Sequence, residues 1–334
     1  MAELDTKLGP ISATDDWGAF REAALPIRVL RGLRSFAANK PLGFACGVIV
    51  IFFMIVGDVV PATLNKISTE VGLGEPVPYL ADQLEQTLPF VYPYAKQSLR
   101  ERLQGSSTDH LLGTDNNGRD VFSRILYGAR TAVMVSFGAT FIASGVGAAI
   151  GIMSGFYGGW TDKALYRVVD VFQALPGLVV LITILGLFGS GLWQMVFALG
   201  LVFGPINSRV IRGQTLAIVA SPYIEAARVL GASDRRIMLR YILPNVFPLI
   251  LLQATVWMGV VVLVEASLSF LGFGIQPPFP SWGHMLSLDG RQFMSIHPGL
   301  AIYPGVAIGI LVFSFNLFGD ALRDVLDPRL RGSR

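Results

Sequence analysis

Six long apolar stretches constrain this chain more than any other feature of its sequence. They cover roughly residues 42–63, 131–156, 168–189, 191–211, 246–272 and 300–322. A helix needs about 20 apolar residues to cross the hydrocarbon core of a bilayer. Only 15% of the residues are charged, whereas soluble domains carry about 25%. The sequence therefore predicts an all-α, polytopic integral membrane protein with six transmembrane helices.

The basic residues predict how these helices are oriented, because Lys and Arg collect in cytoplasmic loops. If the N-terminus lies inside, most of the 26 Lys and Arg residues fall on inner surfaces. The loops at 64–130 and 273–299 then lie outside, and both termini are cytoplasmic. The basic isoelectric point follows from this bias and does not indicate a nucleic-acid partner.

This topology divides the chain into five parts. The predicted parts are a cytoplasmic N-terminal segment (1–41), a first transmembrane helix (42–63), an extracytoplasmic loop (64–130), a core membrane domain (131–324) and a cytoplasmic tail (325–334). Within the first part, residues 27–39 form a basic amphipathic pattern that is suited to the surface of the inner leaflet. The same residues could equally serve only as the positive flank that sets the topology.

The cytoplasmic loop at about 213–245 contains the most unusual stretch, "YIEAARVLGASDRRIMLRYILPN" from Tyr223 to Asn245. Its several charges exclude a further span, since each would cost about 2.5–3.5 kcal/mol at the bilayer centre. The pattern predicts two short helices, with Gly231 as a positive-φ helix end and Ser233 as the cap of the second helix. Pro244 is predicted to mark the junction with the next span. Short helices need a packing partner, so this stretch is either a docking element for a cytosolic protein or a solvated loop.

Several kinds of chemistry are absent from the sequence. There is no G-x-x-x-x-G-K-[ST] phosphate loop and no Gly-Lys pair anywhere, so the chain itself should not bind ATP. No Ser/His/Asp or H-E-x-x-H arrangement is present. The single cysteine, Cys46, lies in the first apolar stretch, and the three histidines are scattered. We therefore expect no enzyme activity, no metal site and no cofactor in this chain.

Polar residues inside membrane helices are costly and often mark a solute path. Gln253 and Glu265 in the fifth span and Asn316 in the sixth are the candidates for such a path. For Glu265 the alternative is a structural hydrogen bond between helices near the outer rim. Asp115, Arg119 and Asp120, before the second span, are predicted to form a salt-bridged outer turn. Trp160, Trp193 and Trp282 fall at predicted span ends, where aromatic residues are common.

The cytoplasmic stretch resembles the EAA loop of the permeases of ATP-binding-cassette (ABC) importers. Glu225, Ala226 and Ala227 are followed by Gly231 and, further on, by Leu243 and Pro244. Tyr241 stands where the family usually has Ile. The resemblance implies that these residues, with Arg235 and Arg236, dock into a groove of an ATP-hydrolysing subunit.

Three further motifs narrow the resemblance. They are "HLLGTDNNGRDVFSRILYGARTAV" (His110 to Val133), "EASLSFLGFGIQPPFPSWGHML" (Glu265 to Leu286) and "FNLFGDALRDVLDPRLRG" (Phe315 to Gly332). Together they are similar to the second permease subunit of dipeptide and oligopeptide importers. The resemblance covers about residues 106–332, whereas residues 64–105 match no pattern of the family.

The resemblance implies a type I ABC-importer permease fold in the cell membrane of a bacterium or archaeon. The implied partners are a homologous permease subunit, two cytosolic ATPases that bind ATP and Mg²⁺, an extracytoplasmic substrate-binding protein and membrane lipid. A di- or oligopeptide is the implied solute, and a nickel chelate or other small solute is an alternative. Two rival classes are an ion-gradient-driven transporter or channel, which would need carboxylates at the bilayer midplane, and a non-transporting membrane scaffold.

Overall fold

The computed structural model describes residue 37 and residues 40–52, 95–277 and 279–326. The predicted amphipathic helix at 27–39, residues 64–94 of the loop at 64–130 and the tail after residue 326 lie mostly or wholly outside these residues. The described part of the chain is helical, with one isolated bridge between Thr114 and Asp120. Four of its helices are long and apolar enough to cross a membrane, and a bent pair makes a fifth candidate.

The helices are numbered in chain order. They are α1 (Pro41–Phe52), α2 (Val121–Tyr157), α3 (Gly159–Ala174), α4 (Gly177–Phe188), α5 (Leu192–Val219), α6 (Pro222–Val229), α7 (Asp234–Phe270), α8 and α9 (Gly299–Leu326). Helix α8 consists of three short consecutive pieces, Trp282–Met285, Leu286–Gly290 and Arg291–Phe293. The predicted second, fourth, fifth and sixth spans correspond to α2, α5, α7 and α9. The first predicted span is described only over α1, so the full count of six is not established.

Helices α2 and α5 form the central pair of the bundle, and glycines let their backbones approach. A side chain at Gly151 of α2 would meet the carbonyl oxygen of Ser208 at 2.7 Å, and one at Gly204 of α5 would meet the Val146 side chain at 2.7 Å. Small residues at such crossings allow the close packing on which membrane helices depend. Helix α2 begins at Val121 rather than at 131, because the Asp120 carboxylate accepts the Ser123 backbone N–H at 2.7 Å and caps the helix there.

The third predicted span is not one straight helix. Its residues divide between α3 and α4, whose axes differ by 88°. Pro176 stands at the bend, and Leu175 before it is extended, with φ −93° and ψ 139°. A proline disfavours helical backbone in the residue that precedes it, so Pro176 explains the break. At 12 residues, α4 is about 18 Å long and cannot cross a bilayer alone.

Pro244, which was predicted to mark the junction with the fifth span, does not end the helix. Helix α7 runs without a break over 37 residues from Asp234 to Phe270, a length of about 55 Å. Residues Met238–Ile242 form a π-helical turn immediately before Pro244. A proline ring crowds the carbonyl four residues earlier, here that of Arg240. The widened turn includes that residue, so the helix continues through the proline.

The two ends of the bundle differ in structure. At one end, called the turn end, α6 meets the start of α7. At the other, called the cap end, residues 95–120 and α8 cover the helices. Trp282 anchors this cover: it is 1% exposed, and its indole N–H donates to the carbonyl of Ile125 at 2.9 Å. Trp282 is therefore a core residue and not part of an interfacial belt, unlike Trp160 and Trp193, which are 82% and 64% exposed.

Candidate functional site

Helix α6 is held against the turn end by its apolar side. Ile224 is fully buried and Ala227 is 6% exposed. Ile224 belongs to a hydrophobic cluster that also contains Ile152 and Phe156 of α2, Ile211 and Ile218 of α5, and Ile237, Ile242, Val246 and Ile250 of α7. The guanidinium of Arg228 also lies 5.3 Å from the centre of the Phe156 ring, a cation–π distance. The stretch is thus a packed element and not a solvated loop.

Gly231 ends α6 with the geometry that the sequence predicts. Its φ is +78°, and the Gly231 N–H donates to the Arg228 carbonyl at 2.9 Å while the Ala232 N–H donates to the Ala227 carbonyl at 3.0 Å. These two bonds define a Schellman motif with glycine at the left-handed position. The predicted Ser233 cap is only partly confirmed: Ser233 precedes α7, but its side chain makes no capping hydrogen bond.

The opposite side of the α6–α7 turn is exposed and combines apolar and charged groups. Val229 and Leu230 are 82% and 87% exposed. Glu225, Ala226, Gly231, Arg235 and Arg236 are exposed as well. Further along α7, Pro244 is exposed and Leu243 is half-buried. We call the exposed residues within 225–236 the turn surface. Burying the side chains of Val229 and Leu230 would contribute about 1.5–3 kcal/mol each, so this surface is suited to a protein partner.

The sequence predicted the position of the turn surface but missed its apolar tip. Val229 and Leu230 directly precede Gly231, the predicted helix end. A signal was present, since the helical period of α6 already places Ile224 and Ala227 on one face. Val229 and Leu230 lie outside this inward face, so their apolar side chains are left exposed.

Of the three candidate path residues, Gln253 and Asn316 are accessible from outside the helix bundle. Asn316 is exposed and Gln253 half-buried. The Asn316 amide donates to the Val312 carbonyl of its own helix at 2.9 Å. It lies next to Gly259 of α7, since a side chain there would meet its nitrogen at 3.2 Å. Both residues therefore remain candidates for contact with a solute.

Glu265 is placed differently, at the end of α7 that meets the cap. Its side chain is 2% exposed. One carboxylate oxygen accepts hydrogen bonds from the hydroxyls of Ser269 at 2.7 Å and Ser281 at 3.1 Å. Ser281 immediately precedes α8, and Gly283 lies directly against the Ala266 backbone. These contacts favour the structural alternative, in which Glu265 fastens the cap to α7.

The predicted salt bridges of Asp115, Arg119 and Asp120 are present as a network of charges buried in the cap. Arg119 and Arg124 lie with their Nε atoms 2.9 and 3.6 Å from one oxygen of Asp115, and Nδ1 of His110 lies 3.0 Å from Asp120. Asp289 of α8 joins the network and is 5% exposed. Burial, and then the nearby Asp115 charge, raise the pKa of Asp289 to about 6, against the opposing charges of Arg124 and Arg119. In the described part of the chain, no group of His, Cys, Asp or Glu is arranged to hold a metal ion.

Comparisons with known proteins agree on one family. Residues 147–332 match the family described as "Binding-protein-dependent transport system inner membrane component". The dipeptide transport system permease protein DppC of Alkalihalophilus pseudofirmus is 40% identical over 238 residues, which cover 71% of this chain and 78% of that protein. The glutathione transport system permease protein GsiD of Pectobacterium atrosepticum is 41% identical over 228 residues, which cover 68% and 75%.

A solved structure shows a similar fold. The inward-facing MetNI methionine ABC transporter superimposes with a TM-score of 0.51 and 19% sequence identity. The match covers 61% of this chain and 96% of that one. At this identity the likeness concerns the fold alone, which is that of a type I importer permease.

Proposed function

Because this chain belongs to the inner-membrane components of binding-protein-dependent transport systems, and to the dipeptide-importer branch of ABC permeases, we propose that it forms half of a pathway that admits short peptides. The relatives named for dipeptide and glutathione transport support a short-peptide solute. The family is one of transport permeases and not of enzymes.

The observation that carries the mechanism is the continuous helix α7. Its first turns belong to the turn surface, and its far end holds Glu265 and the cap. A continuous helix of about 55 Å is stiff along its axis, so a displacement of α6 and the start of α7 moves the cap end as well. We infer that a cytosolic ATPase drives this displacement by contacting the exposed residues Glu225, Ala226, Gly231, Arg235, Arg236 and Pro244, while buried Ala227 and half-buried Leu243 hold the stretch against the bundle.

The other subunits supply what this chain lacks. A homologous permease completes the pathway, two ABC ATPases bind ATP and Mg²⁺, and an extracytoplasmic protein delivers the solute to the cap end. Both termini and the turn end face the cytosol, because the basic residues concentrate there. Between the two half-pathways, Gln253 and Asn316 contact the solute.

Reconstitution tests this proposal. The chain is co-expressed with the homologous permease and the ATPases and purified as a complex. The complex is placed in proteoliposomes together with the binding protein, and ATP is supplied on the side that the ATPases face. We expect ATP-dependent uptake of a labelled dipeptide or glutathione, with competition by unlabelled peptides and none by a nickel chelate. ATP-independent uptake by this chain alone, driven by an ion gradient, would contradict the proposal.

A further inference from the structure

Helix α3 has one packed face and one open face. Val169 is fully buried, and Asp162 and Tyr166, which contact α5, lie on the same side of the helix. At about 100° per residue, Trp160, Lys163, Arg167 and Val171 fall within an arc of about 80° on the opposite side. All four are exposed, with Trp160 82% and Val171 59% accessible.

The acids of α3 are already neutralised by its neighbour. Asp162 accepts two hydrogen bonds from Arg212 of α5, one of them at 2.7 Å from Nε. Asp170 pairs with Arg209 of α5 at 2.7 Å. Within the described residues, Lys163 and Arg167 have no ion-pair partner. The open face therefore carries two uncompensated positive charges, set one helical turn apart.

The depth of these charges in the membrane follows from α5, which begins at the cap end with Leu192. From there to Arg212 the helix rises by about 30 Å, which equals the thickness of the hydrocarbon core. Because Asp162 is bound to Arg212, its neighbour Lys163 lies at the level of the lipid headgroups on the turn side. An exposed tryptophan such as Trp160 prefers this level too.

We propose that the open face of α3, formed by Trp160, Lys163, Arg167 and Val171, binds the headgroup of an anionic phospholipid in the leaflet on the turn side. Lys163 and Arg167 lie against the phosphate, Trp160 lies beside them at the headgroup level, and Val171, one turn further along α3, contacts the upper part of the acyl chains. The occupied face braces α3 beside the 88° bend at Pro176. The site would thus link the lipid composition to the stability of the bent span.

The test compares lipid retention by the purified complex. The complex is exchanged into nanodiscs of phosphatidylcholine with and without phosphatidylglycerol, and lipids that remain bound are counted by native mass spectrometry. The wild type should retain phosphatidylglycerol in preference to phosphatidylcholine. Each basic residue near an anionic surface strengthens binding about fivefold. Lys163→Gln/Arg167→Gln should therefore retain about 30-fold less phosphatidylglycerol than the wild type.

Two controls make the test specific. Arg100→Gln/Arg291→Gln removes the same charge from exposed positions at the cap end and should retain lipid as the wild type does. Lys163→Arg/Arg167→Lys keeps both charges and should also retain it. Equal retention by Lys163→Gln/Arg167→Gln and the wild type would overturn the proposal. So would loss of the companion permease from that variant, which would identify the face as a protein interface, or displacement of the lipid by millimolar inorganic phosphate.

Discussion

Replacing Gly231 by valine should uncouple ATP hydrolysis from transport while leaving the protein in the membrane. A side chain at Gly231 would meet no atom within 4 Å, so the substitution causes no clash. The cost is confined to the backbone, whose φ of +78° suits glycine and not a β-branched residue. Forcing an L-residue into this conformation costs about 1–2 kcal/mol.

This strain acts on the turn that joins α6 to α7. If the chain relieves it by opening the two Schellman hydrogen bonds, α6 no longer stands at a fixed angle to α7. A free-energy change of about 1–2 kcal/mol alters a population by a factor of about 5–30. The fraction of protein with a competent turn, and hence the apparent affinity for the ATPase, should fall by up to that factor.

Gly272 offers a matched control at the far end of α7. Its φ is +89°, and a side chain there would also meet nothing within 4 Å. The Gly272 and Phe273 N–H groups donate to the carbonyls of Ser269 and Leu268 at 3.2 and 2.9 Å, which is the same motif. Gly272→Val therefore imposes similar strain away from the turn surface.

The assay measures membrane abundance, co-purification of the ATPase and peptides imported per ATP hydrolysed. Gly231→Val should be inserted normally but bind the ATPase weakly or hydrolyse ATP without uptake. Gly231→Asn should recover much of the loss, since asparagine tolerates positive φ, and Gly272→Val should bind the ATPase normally. Equal binding and coupling in Gly231→Val and the wild type would refute the role of this turn.

Three other substitutions test separate parts of the structure. Glu265→Gln keeps an acceptor for Ser269 and Ser281 and should assemble and transport nearly as the wild type does. Glu265→Leu should lower the melting temperature, because each unpaired buried hydroxyl costs about 1–3 kcal/mol. Loss of uptake by a normally stable Glu265→Gln complex would place the carboxylate on the solute path instead. Asp289 has a pKa raised to about 6, so the folded protein favours its protonated form and loses stability as the pH rises from about 4 through 6. Asp289→Asn should remove that loss and raise the melting temperature most at pH 7. If the melting temperatures of the variant and the wild type change with pH in parallel from pH 4 to 7, Asp289 does not cause the loss. Cysteines at the exposed positions Ser107 and Ser233 should react with an impermeant reagent from opposite sides of the membrane, and labelling from one side would contradict the topology.

Much of the fold could be predicted because its signals are local. Apolar length identified the helices that cross the membrane, and Gly231 identified a helix end because few other residues adopt positive φ. Pro176 gave an equally local signal for the bend between α3 and α4, although apolar length alone conceals it. Pro244 is the opposite case. A π-helical turn lets the helix continue through it, and the sequence alone does not distinguish such a proline from one that ends a helix.

The role of Glu265 could not be predicted from the sequence. A carboxylate in an apolar helix marks either a solute path or a buried hydrogen bond. The partner that decides between them, Ser281, lies beyond the end of α7 and belongs to the cap. Asp289 shows the same limit, since its buried neighbours Asp115 and Arg124 come from a segment much earlier in the chain. Contacts between distant segments decide both cases.

Site-specific cross-linking tests the central claim, that the turn surface is where an ATPase docks and drives α7. In a Cys46→Ala background the chain has no other cysteine, so a single cysteine can be placed at Leu230, 87% exposed on the turn surface, or at Leu99, 74% exposed at the cap end. The co-expressed complex is treated with a short thiol-to-amine cross-linker, and the products are identified by mass spectrometry. We expect a cross-link from Leu230→Cys to the ATPase and none to the ATPase from Leu99→Cys. A Leu230→Cys complex that transports peptide but never cross-links to the ATPase would contradict this claim.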